Sequence, residues 1–127
     1  MPLVESEFGF LAEMGFHGEK DSEQSVLFRN DDGRFVRVIL DTKDEVVDVR
    51  VGSAGQPRDA LTIDEIMRLE GAPNPRHGFP EIEDTLHYLI ARAAYKLRSY
   101  GGRAIAGDAA LFEEAKALRR SQTTRHG

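Results

Sequence analysis

Three apolar runs crowded between Ser25 and Gly52, in SVLFRNDDGRFVRVILDTKDEVVDVRVG, constrain this chain more than any other stretch. In VDVRV, Val47, Val49 and Val51 alternate with Asp48 and Arg50, the period-2 pattern of a strand with one buried face. Val36, Val38 and Leu40 share a face of FVRVIL, with Phe35, Arg37 and Ile39 opposite; Val26 and Phe28 continue the pattern in the first run, with Leu27 and Arg29 opposed. Asn30-Asp31-Asp32-Gly33 supplies residues that tolerate positive φ, so it predicts a hairpin turn, and Asp41 to Glu45 makes a second, polar turn. The expectation is a three-stranded antiparallel meander. Its Val/Leu face needs a cover of helices. Its other face mixes Leu27, Phe35 and Ile39 with Arg29, Arg37, Asp48 and Arg50, and arginine beside aromatics is the composition that interface patches favour. That face either recognises a partner or is itself covered by a helix or a dimer mate.

Helices are expected on both sides of the meander. Val4, Phe8, Leu11 and Ala12 form an apolar stripe in a helix over about 5–14, with Gly15 placed as its left-handed cap and Phe16 as the accompanying apolar contact. His17 to Gln24 is polar and reads as a connector. In LTIDEI, Thr62 and Glu65 have capping-box spacing, and Leu61 and Ile66 that of a hydrophobic staple, so a helix should begin there and stop at Gly71. The longest helix is predicted over 80–100, with Pro80 in its first turn and a stripe of Ile82, Leu86, Leu89, Ala93, Leu97 and Tyr100 widened by Ile90 and Ala94. Gly101-Gly102 ends it. A last helix, N-capped by Asp108, should run through Leu111, Phe112, Ala115 and Leu118 to about Arg120. The fold class is therefore α+β: a three-stranded antiparallel meander with an N-terminal helix and three C-terminal helices packed on one face, one domain over 1–120 and a flexible tail over 121–127.

At 127 residues one core can bury most of the apolar surface, and 40% apolar with 31% charged residues is the composition of a globular domain. No apolar run approaches the ~20 residues that span a bilayer, and MPLVESEFGF has no early basic cluster, so the expectation is an intracellular, cytoplasmic protein without membrane contact. With no cysteine there is no disulfide, thiolate nucleophile or thiolate metal site. The net charge of −5 hides an asymmetry. Met1–Ala91 carries 19 acids against 9 bases, a net of −10, and Arg92–Gly127 carries 3 against 8, a net of +5. Helix-dipole preferences account for part of this; a dipolar surface whose acidic side steers a basic partner would account for it equally.

Motifs for chemistry are sparse. Glu83, Asp84 and His87 share one side of the long helix and allow a carboxylate–imidazole pair, with His77 as the one further candidate ligand nearby, but HExxH is absent. There is no G-x-S-x-G elbow, P-loop or G-x-G-x-x-G, and no cofactor is called for. Nucleic-acid binding would rest on Arg92, Lys96, Arg98, Arg103, Arg119 and Arg120, and a pI near 5.4 opposes it.

FGFLAEMGF, the VLFRN and FVRVIL strands, LTIDEI and the ending KLRSYGG…AGDAALFEEAKAL together resemble a group of small bacterial proteins, many of unknown function and some akin to immunity proteins that neutralise polymorphic or contact-dependent toxins. The likeness covers most of the chain. Its motifs are caps and core phenylalanines, so it implies a fold and a binder, and it carries no catalytic residues. The functional expectation is a non-enzymatic protein whose partner, a basic toxin domain, meets Arg29, Asp31, Asp32, Phe35, Arg37, Ile39, Asp41, Asp44, Glu45, Asp48 and Arg50. The alternatives are a metal-dependent enzyme built on Glu83, Asp84 and His87, and a self-associating scaffold with the mixed sheet face as a homodimer surface.

Overall fold

The computed structural model describes residues 2–41, 43, 46–71 and 85–124. It is an α+β domain around an antiparallel sheet of five strands, β1 (His17–Ser22), β2 (Ser25–Arg29), β3 (Arg34–Asp41), β4 (Val46–Ser53) and β5 (Leu61–Thr62), which lie side by side in sequence order. The expected meander is its centre, and the expectation of three strands was two short. All six residues of β1 are exposed, so the strand has no apolar alternation to betray it. It forms because β2 offers a ladder, pairing His17 with Arg29 and Lys20 with Val26, and because Glu19 and Asp21 reach the guanidinium groups of Arg29 and Arg37. A charged edge strand of this kind also discourages pairing with other chains. β5 is only two residues long, pairing Leu61 with Val51 and Thr62 with Arg50.

The N-terminal helix is broken in two, α1 (Pro2–Glu7) and α2 (Phe10–Glu13), by a tight turn at Phe8–Gly9. Gly9 makes a three-residue bond to the Ser6 carbonyl (3.3 Å), as expected where glycine weakens a helix interior. The cap reads as anticipated. Gly15 takes φ +89°, its N–H donates to the Ala12 carbonyl (3.1 Å), and the Phe16 N–H reaches the Leu11 carbonyl (3.0 Å), a Schellman pair that folds Phe16 into the core.

After a single 3-10 turn at Pro57–Asp59, α3 (Ile63–Leu69) opens on the expected capping box: Thr62 Oγ1 accepts from the Glu65 N–H (3.2 Å) and the Glu65 carboxylate accepts from the Thr62 N–H (3.1 Å). Leu61 and Ile66, the staple pair, are both buried. Of the long helix, α4 (Thr85–Tyr100) is described; Pro80 and Ile82 lie outside the described residues. The glycine pair after it starts a further short helix, α5 (Gly102–Ala106), which the sequence reading missed. Asp108 caps α6 (Ala109–Thr124) through its carboxylate, which accepts from the Ala110 (2.9 Å) and Leu111 (3.2 Å) N–H groups. The helix continues to Thr124, into the segment expected as tail.

The core joins one face of the sheet to the helices. Val26, Phe28, Val36, Val38, Leu40, Val49 and Val51 meet Phe8 and Leu11, Ile90 and Leu97, Ile105 and Leu111 in one buried cluster. Phe8 stacks on Phe10 and meets Phe28 at a tilt, each ring centroid 6.2 Å away. No helix of the described residues is long and apolar enough to cross a membrane.

Candidate protein-recognition face

The other sheet face contributes no β2–β4 residue to that cluster. Register sets its rows: Leu27 opposite Arg37 and Arg37 opposite Arg50, Arg29 opposite Phe35 and Phe35 opposite Gly52, Ser25 opposite Ile39 and Ile39 opposite Asp48. Leu27, Arg37, Ile39 and Asp48 are half-buried, while Arg29 and Arg50 are exposed.

Phe35 is the anchor. It is only 8% exposed although it lies outside the core cluster, because its ring settles over the strand position where Gly52 has no side chain. A Cβ on Gly52 would stand 3.0 Å from the Ala60 Cα and 3.3 Å from the Phe35 ring, so glycine is what lets strand, ring and the segment before β5 converge. Arg37 lies over the ring, its guanidinium carbon 5.9 Å from the centroid.

Like charges directly across an antiparallel pair are destabilising, and Arg37 faces Arg50. Each has an acid. Arg37 Nε lies 3.2 Å from Asp21 Oδ2, without the geometry of a hydrogen bond, and Arg50 Nε donates to Asp48 Oδ2 at 2.9 Å. The side chains of both pairs remain partly open to solvent, and surface ion pairs are worth roughly 0–1 kcal/mol.

Along one side this face deepens into a groove of ≈ 580 Å³, lined by Phe35, Arg37, Ile39, Asp48 and Arg50 and walled by Arg58, Ala60, Glu65 and Arg119. Arg119 builds the wall. From α6 it grips the Glu65 carboxylate with two bonds, Nε to Oε2 (2.8 Å) and Nη2 to Oε1 (2.9 Å), and donates through Nη2 to the Ala60 carbonyl (2.8 Å). Burial by itself would raise the Glu65 pKa; the bonds from Arg119 and the Thr62 N–H outweigh it and hold the carboxyl below its ordinary value. Arg58, Glu65 and Arg119 were not foreseen at this site. The capping box already marked Glu65 in the sequence, but nothing local marks a partner 54 residues away.

The foreseen residues divide. Arg29, Phe35, Arg37, Ile39, Asp48 and Arg50 share the outer face. The acids divide: Asp48 is among these residues and Asp41, two residues beyond Ile39 on β3, continues the same face, its carboxylate accepting from the Lys43 N–H (3.1 Å), whereas Asp31 and Asp32 sit in the turn before β3. Asp44 and Glu45 lie outside the described residues.

Of the cluster considered for metal chemistry, only His87 lies among the described residues. Glu83, Asp84 and His77 fall outside the described residues, and His87 Nε2 lies 3.7 Å from Glu7 of α1. Among the described residues no group of three or more histidine or acidic side chains could hold a metal ion. The basic residues considered for nucleic acid are dispersed: Arg103 pairs with Glu70 (2.7 Å) and Asp108 (3.3 Å), Arg119 with Glu65, and Arg92 and Lys96 line a separate recess with Asp48 and Asp64. In that recess burial, then the neighbouring Arg92, lowers the Lys96 pKa. Compared with protein-family models, curated proteins and solved structures, the chain finds no match.

Proposed function

We propose that this chain is a stoichiometric protein-binding domain whose recognition surface is the outer sheet face around Phe35, Ile39, Arg37 and Arg50, and that its role is the immunity-type neutralisation of a bacterial toxin. The observation that carries the binding reading is that this face stays out of the core while presenting half-buried Leu27 and Ile39 and a caged Phe35 among arginines, the mixture of apolar anchors and guanidinium groups concentrated at binding hot spots. The toxin partner follows from the likeness of FGFLAEMGF, LTIDEI and AGDAALFEEAKAL to immunity-like proteins.

Co-expression with the product of each neighbouring gene is the test. Rescue of growth from one toxic neighbour, co-purification with it, and loss of both in Ile39→Arg would support the reading. Rescue that survives Ile39→Arg would move the surface elsewhere, and the absence of any toxic or co-purifying neighbour would remove the toxin role. Sedimentation of the chain alone checks the self-associating alternative: a dimer dissociated by Ile39→Arg would make this face a homodimer surface.

A further inference from the structure

Charge in the groove runs opposite to the charge of the chain. Against a net of −5 overall, the groove lining holds four arginines, Arg37, Arg50, Arg58 and Arg119, and two carboxylates, Asp48 and Glu65. Arg119 and Glu65 are consumed by one another and by the capping box, so they shape the wall. Arg58 is exposed and has no ion-pair partner among the described residues. Arg37 is half-buried with its Nε enclosed beside Asp21, so it shapes the floor, whereas Arg50 is exposed and its pair with Asp48 at the surface is weak enough for an incoming carboxylate to compete with at little cost. Between the guanidinium groups the floor is apolar, Phe35 and Ile39.

Resting on the recognition face proposed above, we infer that this groove takes an acidic segment of a protein partner, two carboxylates reaching Arg50 and Arg58 while an apolar side chain lies against Ile39 beside the Phe35–Arg37 stack. Planar guanidinium groups hold carboxylates through paired hydrogen bonds, and the groove is open to solvent, so an extended segment can lie along it. A nucleic-acid strand would need a continuous basic track. Here Asp48, Glu65 and Asp21 interrupt it and the chain around it is acidic, which favours a short acidic peptide over a polyphosphate. Asp31 and Asp32, in the turn before β3, lie outside the contact, while Asp41, two residues beyond Ile39 on the same face, bounds it with a like charge and confines the segment's carboxylates to the Arg50–Arg58 side.

The test is fluorescence anisotropy with the full chain and three labelled probes: an eight-residue peptide alternating glutamate and leucine, its counterpart alternating serine and leucine, and a single-stranded DNA octamer. The glutamate peptide is expected to bind at least tenfold tighter than the serine peptide, to lose that advantage in the double variant Arg50→Gln, Arg58→Gln, and to weaken with added salt. Circular dichroism and urea melts confirm that the variant is folded. Equal binding of the two peptides, both lost in Ile39→Arg, would overturn the acidic preference and leave the recognition face standing. Peptide binding untouched by Ile39→Arg and by the arginine changes would overturn both. Tighter binding of the DNA octamer, or no binding of the glutamate peptide, would overturn the inference.

Discussion

Arg119 and Glu65 are joined by two hydrogen bonds across 54 residues of sequence, and the same carboxylate closes the capping box of α3 through the Thr62 N–H. One acid therefore fixes the start of α3, the position of α6 and, through the Ala60 carbonyl that Arg119 also holds, the wall of the groove. Its stability contribution has a definite pH sign. The folded Glu65 carboxyl is held below its ordinary value, so the contribution is fully present above the unfolded pKa of ~4.3 and is lost as pH falls through the lower folded value. Urea melts of wild type and Glu65→Gln at about pH 6 and about pH 3 are expected to converge at the acid end, the wild type losing more stability across this window. Equal losses in the two proteins would exclude Glu65 as the responsible group.

A double-mutant cycle on Glu65→Gln and Arg119→Gln should return a coupling of about 1–2 kcal/mol, since hydrogen bonds to charged groups are worth roughly 1.5–3 kcal/mol and this pair is only partly exposed. The same cycle on Asp48 and Arg50, solvent-exposed partners on one strand, should return under about 1 kcal/mol. If the two couplings come out equal, the Arg119 clamp is no stronger than a surface ion pair.

What the sequence carried legibly was local. Thr62 and Glu65, Gly15 and Phe16, and Asp108 at the head of α6 each act within a few residues, and each sits where spacing placed it. Alternation likewise identified Val36, Val38, Val49 and Val51 as core before any partner was known. β1 escaped because HGEKDS has no apolar period; it exists through the ladder that β2 offers and through ion pairs whose acids, Glu19 and Asp21, look like loop residues in isolation. The groove was half legible. Its floor, Phe35, Ile39, Arg37 and Arg50, follows from strand period, whereas its wall depends on Arg119 meeting Glu65, a contact that tertiary packing alone decides.

Gly52 gives a sharp test of how closely the groove floor is packed. Adding a Cβ there meets the Ala60 Cα at 3.0 Å and the Phe35 ring at 3.3 Å, so Gly52→Ala should cost about 1–3 kcal/mol of overpacking, seen as a lower thermal midpoint. Gly55, which has open space at the Cβ position, is the control, and Gly55→Ala should change stability by less than about 1 kcal/mol. Equal effects at the two sites would refute the close approach of Phe35 and Ala60.

Adjacent residues on β3 should respond in opposite ways. Val38 is fully buried in the core cluster, and Val38→Ala removes buried methyl groups and leaves a cavity, for a loss of about 2 kcal/mol in urea unfolding. Ile39 is half-buried on the outer face, so Ile39→Arg should leave stability within about 1 kcal/mol of wild type while removing partner binding. A large destabilisation by Ile39→Arg would mean that this face is part of the folding core.

Arg34 is where the hairpin meets the last two helices. Its Nη2 donates to the Ala104 carbonyl at 2.8 Å and its guanidinium carbon lies 5.1 Å from the Phe112 ring centroid, while its buried Nε has no hydrogen-bond partner. Burial lowers its pKa, the mark of a charge taken partly out of water. Two opposing effects follow: the stem and the stacked guanidinium contribute packing, and the orphaned Nε costs desolvation. Arg34→Ala forfeits the packing and should cost about 1–3 kcal/mol, whereas Arg34→Met keeps most of the stem, removes the orphaned donor and should cost less than about 1 kcal/mol. Amide hydrogen exchange across Ala104 to Leu111 locates the effect: faster exchange there in Arg34→Ala, with the β3–β4 ladder unchanged, would place the role of Arg34 in docking α5 and α6. Equal destabilisation by alanine and methionine would instead assign its contribution to the charge and the Ala104 bond.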